Sequence, residues 1–314
     1  MAVDIPKVAY SGAIREIRLG DGENAVTVGG ETSYPFELFD GEMPNPPRIA
    51  MEVYDAAPEG WAEAALEPFA GVTDDPAAWA KRCVDDYGAD MICIQLVSTD
   101  PNGADASPES AAETVKNVAA AVDVPLIVWG SESEEKDTEV LRLVAETCQD
   151  RKLVIGPVVE GNYRQLGATA IAYGHTVAAS TPIDINLCKQ LNILLADLGV
   201  PADQIIIDPT TGGLGYGLEY TYSVMERVRM AALTQQDDSL QFPIVCNLAP
   251  EVWKVKEVKT PEAEDPKLGD QKKRGVLMEA ATAMSLLLAG ADVLVMRHPD
   301  AIDQIRTAVD GLVP

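Results

Sequence analysis

Gly88-Ala89-Asp90 runs directly into the apolar stretch Met91–Val97, and Gly290-Ala291-Asp292 leads in the same way into Asp292–Met296. Each triplet closes a helical pattern and opens a short apolar run, so distant parts of the chain repeat one helix-to-strand junction. Runs of the same kind recur at Ile49–Val53, Leu126–Trp129, Leu153–Ile155, Thr176–Ser180, Ile205–Asp208 and Ile244–Asn247. Apolar and β-branched residues fill both alternating faces, which marks parallel strands covered on both sides. The segments between them carry helix punctuation. Asp75-Pro76 and Ser107-Pro108 open two helices; Thr181-Pro182 precedes a third, whose stripe is Leu187, Leu191, Leu194, Leu195 and Leu198, closed by Gly199. Proline costs no hydrogen bond in a first turn, and glycine accepts the left-handed conformation past the last. Eight strand–helix units in sequence predict a (β/α)8 TIM barrel over residues 49–314, in preference to an open doubly wound sheet. Residues 1–48 stand outside the repeat. There Ile14–Leu19 and Ala25–Gly29, around Gly20-Asp21-Gly22, read as an N-terminal β-hairpin extension that plugs the barrel's N-terminal face, followed by a proline-rich strap over 35–48.

Charge narrows the function. Acids number 50 against 24 Lys and Arg, for a net charge of −26. Such a surface repels phosphate backbones and anionic headgroups, which argues against nucleic acid and membrane as partners. The longest apolar stretch, Met284–Met296, is broken by Asp292 and is too short to span a bilayer. The N-terminus lacks the basic-then-apolar pattern of a secretory leader, so a cytoplasmic location is expected. Five cysteines, widely spaced and without a C-x-x-C pair, point to buried thiols and away from a disulfide framework, a zinc site or a cluster held by this chain alone.

In such a barrel the chemistry sits on the loops that follow the strands. The sixth loop, Asp208-Pro-Thr-Thr-Gly-Gly-Leu-Gly-Tyr-Gly217, is the most informative. Its glycines let the backbone approach a large ligand or partner, although a mobile loop with tight turns would read the same way. Its spacing is neither that of a dinucleotide fingerprint nor that of a P-loop, and no basic residue accompanies it. Asp208 and Asn247, at the ends of the sixth and seventh strands, would face each other across the barrel mouth and suit hydrogen bonding to a heterocycle; Asp208-Pro209 also suits plain turn chemistry. His298 reads as a helix-opening residue, with a metal or cobalt ligand as the minor reading. His175 precedes a strand, on the face away from the chemistry. The seventh loop, 251–275, carries seven of the chain's basic residues and six acids. It reads either as a docking element for another subunit or as a solvated loop.

Three separated stretches then carry a family resemblance: Ala13-Ile-Arg-Glu-Ile-Arg-Leu-Gly20, Ala50-Met-Glu-Val-Tyr-Asp55 and the run from Ile205 through the sixth loop to Tyr220. Their content and order resemble the small, or delta, subunits of corrinoid iron–sulfur proteins of acetyl-CoA decarbonylase/synthase complexes. The resemblance spans essentially the whole chain. It implies a barrel paired with a large corrinoid iron–sulfur subunit, with cobalamin shared between the two and the iron–sulfur cluster on the partner. It further implies methyl transfer from a methyltetrahydrofolate:corrinoid methyltransferase to carbon monoxide dehydrogenase/acetyl-CoA synthase, the methyl branch of the Wood–Ljungdahl pathway. On this reading the chain is a carrier subunit with no catalytic residue of its own. Thr210, Thr211, Gly212, Gly213, Leu214 and Gly215 would face the corrinoid, with Asn247 and Ser131 as further contacts. The barrel is also similar to pterin-dependent methyltransferases, so the alternative is a barrel that itself binds methyltetrahydrofolate through Asp208 and Asn247. Against it, Trp129-Gly130-Ser131 lacks the aspartate those enzymes show after the third strand.

Overall fold

The computed structural model describes residues 7–313; residues 1–6, on which the leaderless reading rests, lie outside them. Two short strands, β1 (Ile17–Leu19) and β2 (Val26–Val28), form an antiparallel hairpin. Eight parallel strands follow: β3 (Arg48–Tyr54), β4 (Met91–Gln95), β5 (Leu126–Trp129), β6 (Val154–Val158), β7 (Thr176–Ser180), β8 (Ile205–Asp208), β9 (Val245–Asn247) and β10 (Val293–Met296). Sequence neighbours pair from β3 to β8, β9 pairs with β10, and β10 returns to β3. The ring closes between β8 and β9 through one bridge, Ile207 to Ile244, where the Ile207 amide donates to Pro243 O at 2.8 Å. The helices are α1 (Glu63–Leu66), α2 (Pro76–Asp85), α3 (Pro108–Ala121), α4 (Glu134–Thr147), α5 (Tyr163–Tyr173), α6 (Ile185–Leu198), α7 (Leu218–Thr234), α8 (Ala249–Trp253), α9 (Lys256–Lys259), α10 (Gln271–Ala289) and α11 (Pro299–Leu312). The architecture is the (β/α)8 TIM barrel expected, with a small antiparallel hairpin at its N-terminal end.

Local chemistry sets the element ends. Asp75 accepts from the amides of Ala77 and Ala78, and Ser107 from Ser110, so both Pro-opened helices begin where the sequence places them. The third differs. Asp184, not Thr181, caps α6 by accepting from Asn186 and Leu187, because a carboxylate held two residues ahead satisfies both free amides. Its leucine stripe is wider than the buried face: Leu191 and Leu195 are buried, whereas Leu187 and Leu198 stay over a third exposed. Strand β4 ends at Gln95, short of Val97. Asp55 accepts from both the amide (2.9 Å) and the hydroxyl (2.5 Å) of Ser98, which turns the chain into a 3-10 turn. Strand β6 runs on to Val158, past Ile155, since Pro157 falls at a register irregularity where no ladder donor is needed.

The segment 251–275 is not a solvated loop. It folds into α8, α9, a 3-10 turn and the first turn of α10. Trp253 is buried and donates its indole N–H to Glu279 at 2.9 Å, while Arg274 donates to the carbonyls of Glu257, Thr260, Leu268 and Gly269. One guanidinium thus serves four carbonyls that no helix or strand satisfies.

At the opposite end the hairpin covers the barrel. Ile17, Leu19 and Val28 are buried in the core, Arg15 N–H donates to Gln241 O at 3.0 Å, and Asp21 accepts from Lys152 N–H at 3.0 Å. Beneath it Arg229, 2% exposed, donates to Phe242 O and Gly290 O and pairs with Asp292, which also accepts from Ile244 N–H. Removing one partner of such a pair strands a buried charge at a cost of about 3–5 kcal/mol. Arg229→Met should therefore lower the urea midpoint of unfolding by that much stability; an unchanged midpoint would show that this pair does not hold the N-terminal end.

Candidate functional site

The C-terminal ends of β5 to β9 surround a cleft of about 400 Å³. Asp208 and Asn247 form its floor from β8 and β9, so they stand side by side at the closing seam and not across the mouth from each other. Asp208 accepts from the Thr210 amide at 3.1 Å. Burial raises its carboxyl to about 7, against the lowering effect of hydrogen bonds from Ser180 and Thr210. Asn247 is held by a buried relay. Its Oδ1 accepts from Gln95 Nε2 at 2.9 Å, Gln95 also donates to Glu52 at 3.3 Å, and Glu52 accepts from Arg297 Nε at 2.6 Å. The Arg297 guanidinium lies 3.4 Å from the centre of the Trp61 ring, a cation–π contact that helps offset its burial.

The sixth loop divides into two parts. Thr210 adopts a left-handed φ of 62°, held there as its hydroxyl donates to Thr181 O at 2.8 Å. The Thr221 hydroxyl accepts from Gly212 N–H at 2.9 Å and donates to Thr210 O at 3.0 Å. A Cβ on Gly212 would stand 2.6 Å from the Gly217 carbonyl carbon, and one on Gly213 would stand 3.2 Å from Glu251 O. The loop's own packing requires glycine at 212 and leaves little room for a side chain at 213. Thr210 and Thr211 line the cleft, whereas Leu214, Gly215 and Tyr216 form an exposed tip, with Tyr216 O–H donating to Glu257 at 2.5 Å. Ser131 is not among the residues that line the cleft; its amide and hydroxyl donate to Asp137 Oδ1 at 2.8 and 2.9 Å.

That contact exposes what the sequence reading missed. A Cβ on Gly130 would fall 2.4 Å from Asp137 Cγ, and one on Gly161 would fall 1.9 Å from Glu134 Oε1. Each glycine after a strand makes room for an acid from the first turn of α4. Asp137, seven residues beyond Gly130, lines the cleft together with Glu132, Asn162 and Thr181. Absence of a side chain at 130 and 161 was the available signal.

The histidines serve structure. His298 Nδ1 caps α11 by accepting from the Asp300 amide at 3.1 Å, and its ring stacks on Trp253. His175 is buried between Leu153 N–H and Ala145 O. Glu279 accepts from the amides of Arg297 (2.5 Å) and His298 (3.1 Å), and burial pushes it up to about 7. All five cysteines are buried and free.

A raised folded-state value means that the unfolded chain loses the Asp208 proton first, so stability falls as pH rises from the ordinary carboxylate range through about 7. Asp208→Asn removes that loss. The variant's unfolding free energy should gain on the parent's as pH rises from ~4 to ~7, by a few kcal/mol at the upper end. Glu279 titrates alike in both proteins, so the difference isolates Asp208; a gap independent of pH would refute the assignment.

Comparison with known proteins bears on this geometry. The family described as CO dehydrogenase/acetyl-CoA synthase delta subunit matches residues 16–306. Acetyl-CoA decarbonylase/synthase complex subunit delta of Archaeoglobus fulgidus is 38% identical, over 98% of this chain and 70% of its own length. The Methanosarcina mazei protein of the same name is 39% identical, over 98% of this chain and 73% of its own. Among solved structures, dihydropteroate synthase from Xanthomonas albilineans with 4-aminobenzoic acid superposes with a TM-score of 0.59 at 13% identity, over 90% of this chain and 99% of that one. That likeness is one of fold. Identity at nearly two residues in five along hairpin and barrel together is more than shared architecture: the chain belongs to the CO dehydrogenase/acetyl-CoA synthase delta subunit family.

Proposed function

We propose that this chain is the small subunit of a heterodimeric corrinoid methyl carrier, capping cobalamin at the barrel's C-terminal mouth. The pair would pass a methyl group from a methyltetrahydrofolate:corrinoid methyltransferase to carbon monoxide dehydrogenase/acetyl-CoA synthase in the Wood–Ljungdahl pathway. The observation that carries this reading is the delta-family match over residues 16–306, which includes the whole sixth loop at the mouth. The large subunit would hold the iron–sulfur cluster and most of the corrinoid's contacts, and the complex would work in the cytoplasm. Among the described residues no helix is long and apolar enough to cross a membrane.

The residues at the mouth suit a flat macrocycle fringed with carboxamide arms. Leu214 and Tyr216, 42% and 52% exposed, offer apolar contact at the loop tip, and Gly215 between them has nothing within 4 Å of a built Cβ. Carboxylates of Glu132 and Glu251 at the cleft can accept from amide donors. When bound, the corrinoid supplies a cobalt that takes up and releases the methyl group. The chain's own part is to shield and orient: the Thr221 hydroxyl fixes the loop root, and the packing of Gly213 against Glu251 sets the height of the tip.

Co-expression with the large subunit, followed by pull-down, visible absorption and cobalt analysis, tests the reading. Stoichiometric cobalt in the heterodimer is expected, and Leu214→Glu, at an exposed position, should lower cobalt retention roughly tenfold without altering the melting temperature. A heterodimer with undiminished cobalt in the variant would remove the loop tip from the corrinoid site. A chain that forms no heterodimer would overturn the carrier reading.

A further inference from the structure

At the N-terminal end of the barrel three ionisable side chains meet where water has almost no access. Glu31, at the root of the strap, is 5% exposed and lies against the buried pair of Arg229 and Asp292. Two acids here share one base. Asp292 Oδ2 takes both the Arg229 guanidinium and the Ile244 amide, the latter at 2.6 Å, and Arg229 also serves Phe242 O and Gly290 O. Glu31 receives none of these donors: its Oε2 is buried without a hydrogen-bond partner, and its carboxyl is within hydrogen-bonding reach of Asp292. Two carboxylates beside one guanidinium would leave a net negative charge in a site that cannot solvate it, so one proton stays on the pair, and Glu31, the acid with fewer donors, holds it. Burial first, and then the Asp292 charge, raise the Glu31 carboxyl well above the usual carboxylate range, against the lowering effect of Arg229.

Other charges on the elements packed there are engaged elsewhere. Glu16 accepts from Asn45 at 2.9 Å, Asp40 accepts from the Val8 amide at 2.8 Å, Arg48 pairs with Asp90 at 3.7 Å, Arg15 donates to Asp238 O, and Glu37 and Glu226 lie near Tyr34. The void beside Glu31 is about 10 Å³, at the lower limit for one water molecule, and Ser33, Pro35 and Met43 close it from the strap side. An ionised Glu31 has no room there for a hydration shell and has to leave. The strap can follow it. Thr32 N–H donates to Glu42 O at 3.0 Å and Thr32 Oγ1 accepts from the Glu42 amide at 2.9 Å, which ties residues 32–42 into one loop. Gly29 and Gly30, both at left-handed φ, join that loop to the hairpin.

We infer that residues 31–43 form a proton-held clasp over the barrel's N-terminal end: Glu31 carries a proton while docked against Asp292, and losing it lifts the strap and opens Arg229 to water. The docked acid holds its proton more tightly than the released one. The clasp is therefore fully closed below the ordinary carboxylate range and loosens as pH rises toward the docked value. One proton is linked to opening, which sets the slope at about tenfold per pH unit.

Amide hydrogen exchange on the full chain, corrected for the intrinsic rate at each pH, tests this. The Ile14 amide, which donates to Glu31 O at 2.9 Å, reports the docked root. Its protection should fall about tenfold per pH unit from pH ~5 upward, while β4 and β5 stay protected. Glu31→Gln keeps a hydrogen-bonding side chain that cannot ionise, and should hold the Ile14 protection level over the same range. The parent's infrared spectrum at neutral pH should also show a protonated-carboxyl band that Glu31→Gln lacks; Asp208 and Glu279 are common to both proteins and cancel. Protection that is flat with pH in the parent, or that falls equally in Glu31→Gln, would overturn the clasp, as would identical infrared bands. Should the variant not fold, the parent's slope alone decides. The clasp lies at the end away from the mouth, so its failure leaves the carrier reading standing, and the reverse.

Discussion

A buried ion pair, Glu52 with Arg297, governs the functional end of the barrel. Both side chains are at most 3% exposed, and neither could stand there alone, since an unpaired charge in this interior would cost several kcal/mol. Each is therefore tied further. Arg297 lies over Trp61, its own amide is held by Glu279, and the spare oxygen of Glu52 takes Gln95, which in turn fixes Asn247. Satisfying one charge thus orders β3, β4, β9, β10 and α10 together. The floor of the cleft inherits its rigidity from a pair that never touches the cleft.

The two ends of the barrel answer the same problem in opposite ways. At the N-terminal end the buried charges of Arg229 and Asp292 are met by backbone groups and by each other, beside the buried Glu31 carboxyl and under the hairpin. At the C-terminal end acids outnumber bases around the cleft, where Lys254 pairs with Glu251, and Gly130 and Gly161 leave space for Asp137 and Glu134. One end spends its polar groups on closure, while the other leaves them free to bind.

The barrel was legible because its strands are apolar on both faces and its junctions repeat, as at Gly88-Ala89-Asp90 and Gly290-Ala291-Asp292. Continuous apolarity is a local property, and it survives any tertiary detail. The site was legible only where it lies on strand ends, at Asp208, Thr210, Thr211 and Asn247. Asp137 and Glu134 stayed hidden because acids in a helix's first turn are explained well enough by the helix dipole; only their fit beside Gly130 and Gly161 gives them another role. The fold of 251–275 was hidden for a related reason. Its mixed charge reads as a docking element or a solvated loop, and nothing in the pattern announces that Arg274 would bind four carbonyls.

The seam between β8 and β9 has a consequence for how the molecule communicates. Every other stave of the ring is joined to its neighbour along several residues, and this one by a single bridge at Ile207 and Ile244. The barrel is in effect a rolled sheet whose two edges meet with one stitch. Asp208 and Asn247 sit on opposite edges of that stitch, so whatever spans them at the mouth acts as a second. The same seam runs on to the N-terminal end, where Arg15 N–H donates to Gln241 O and Gly29 lies against Pro243. A group that bridged the two strands at the mouth would be a second tie on this seam, and opening of the seam would then have to break both.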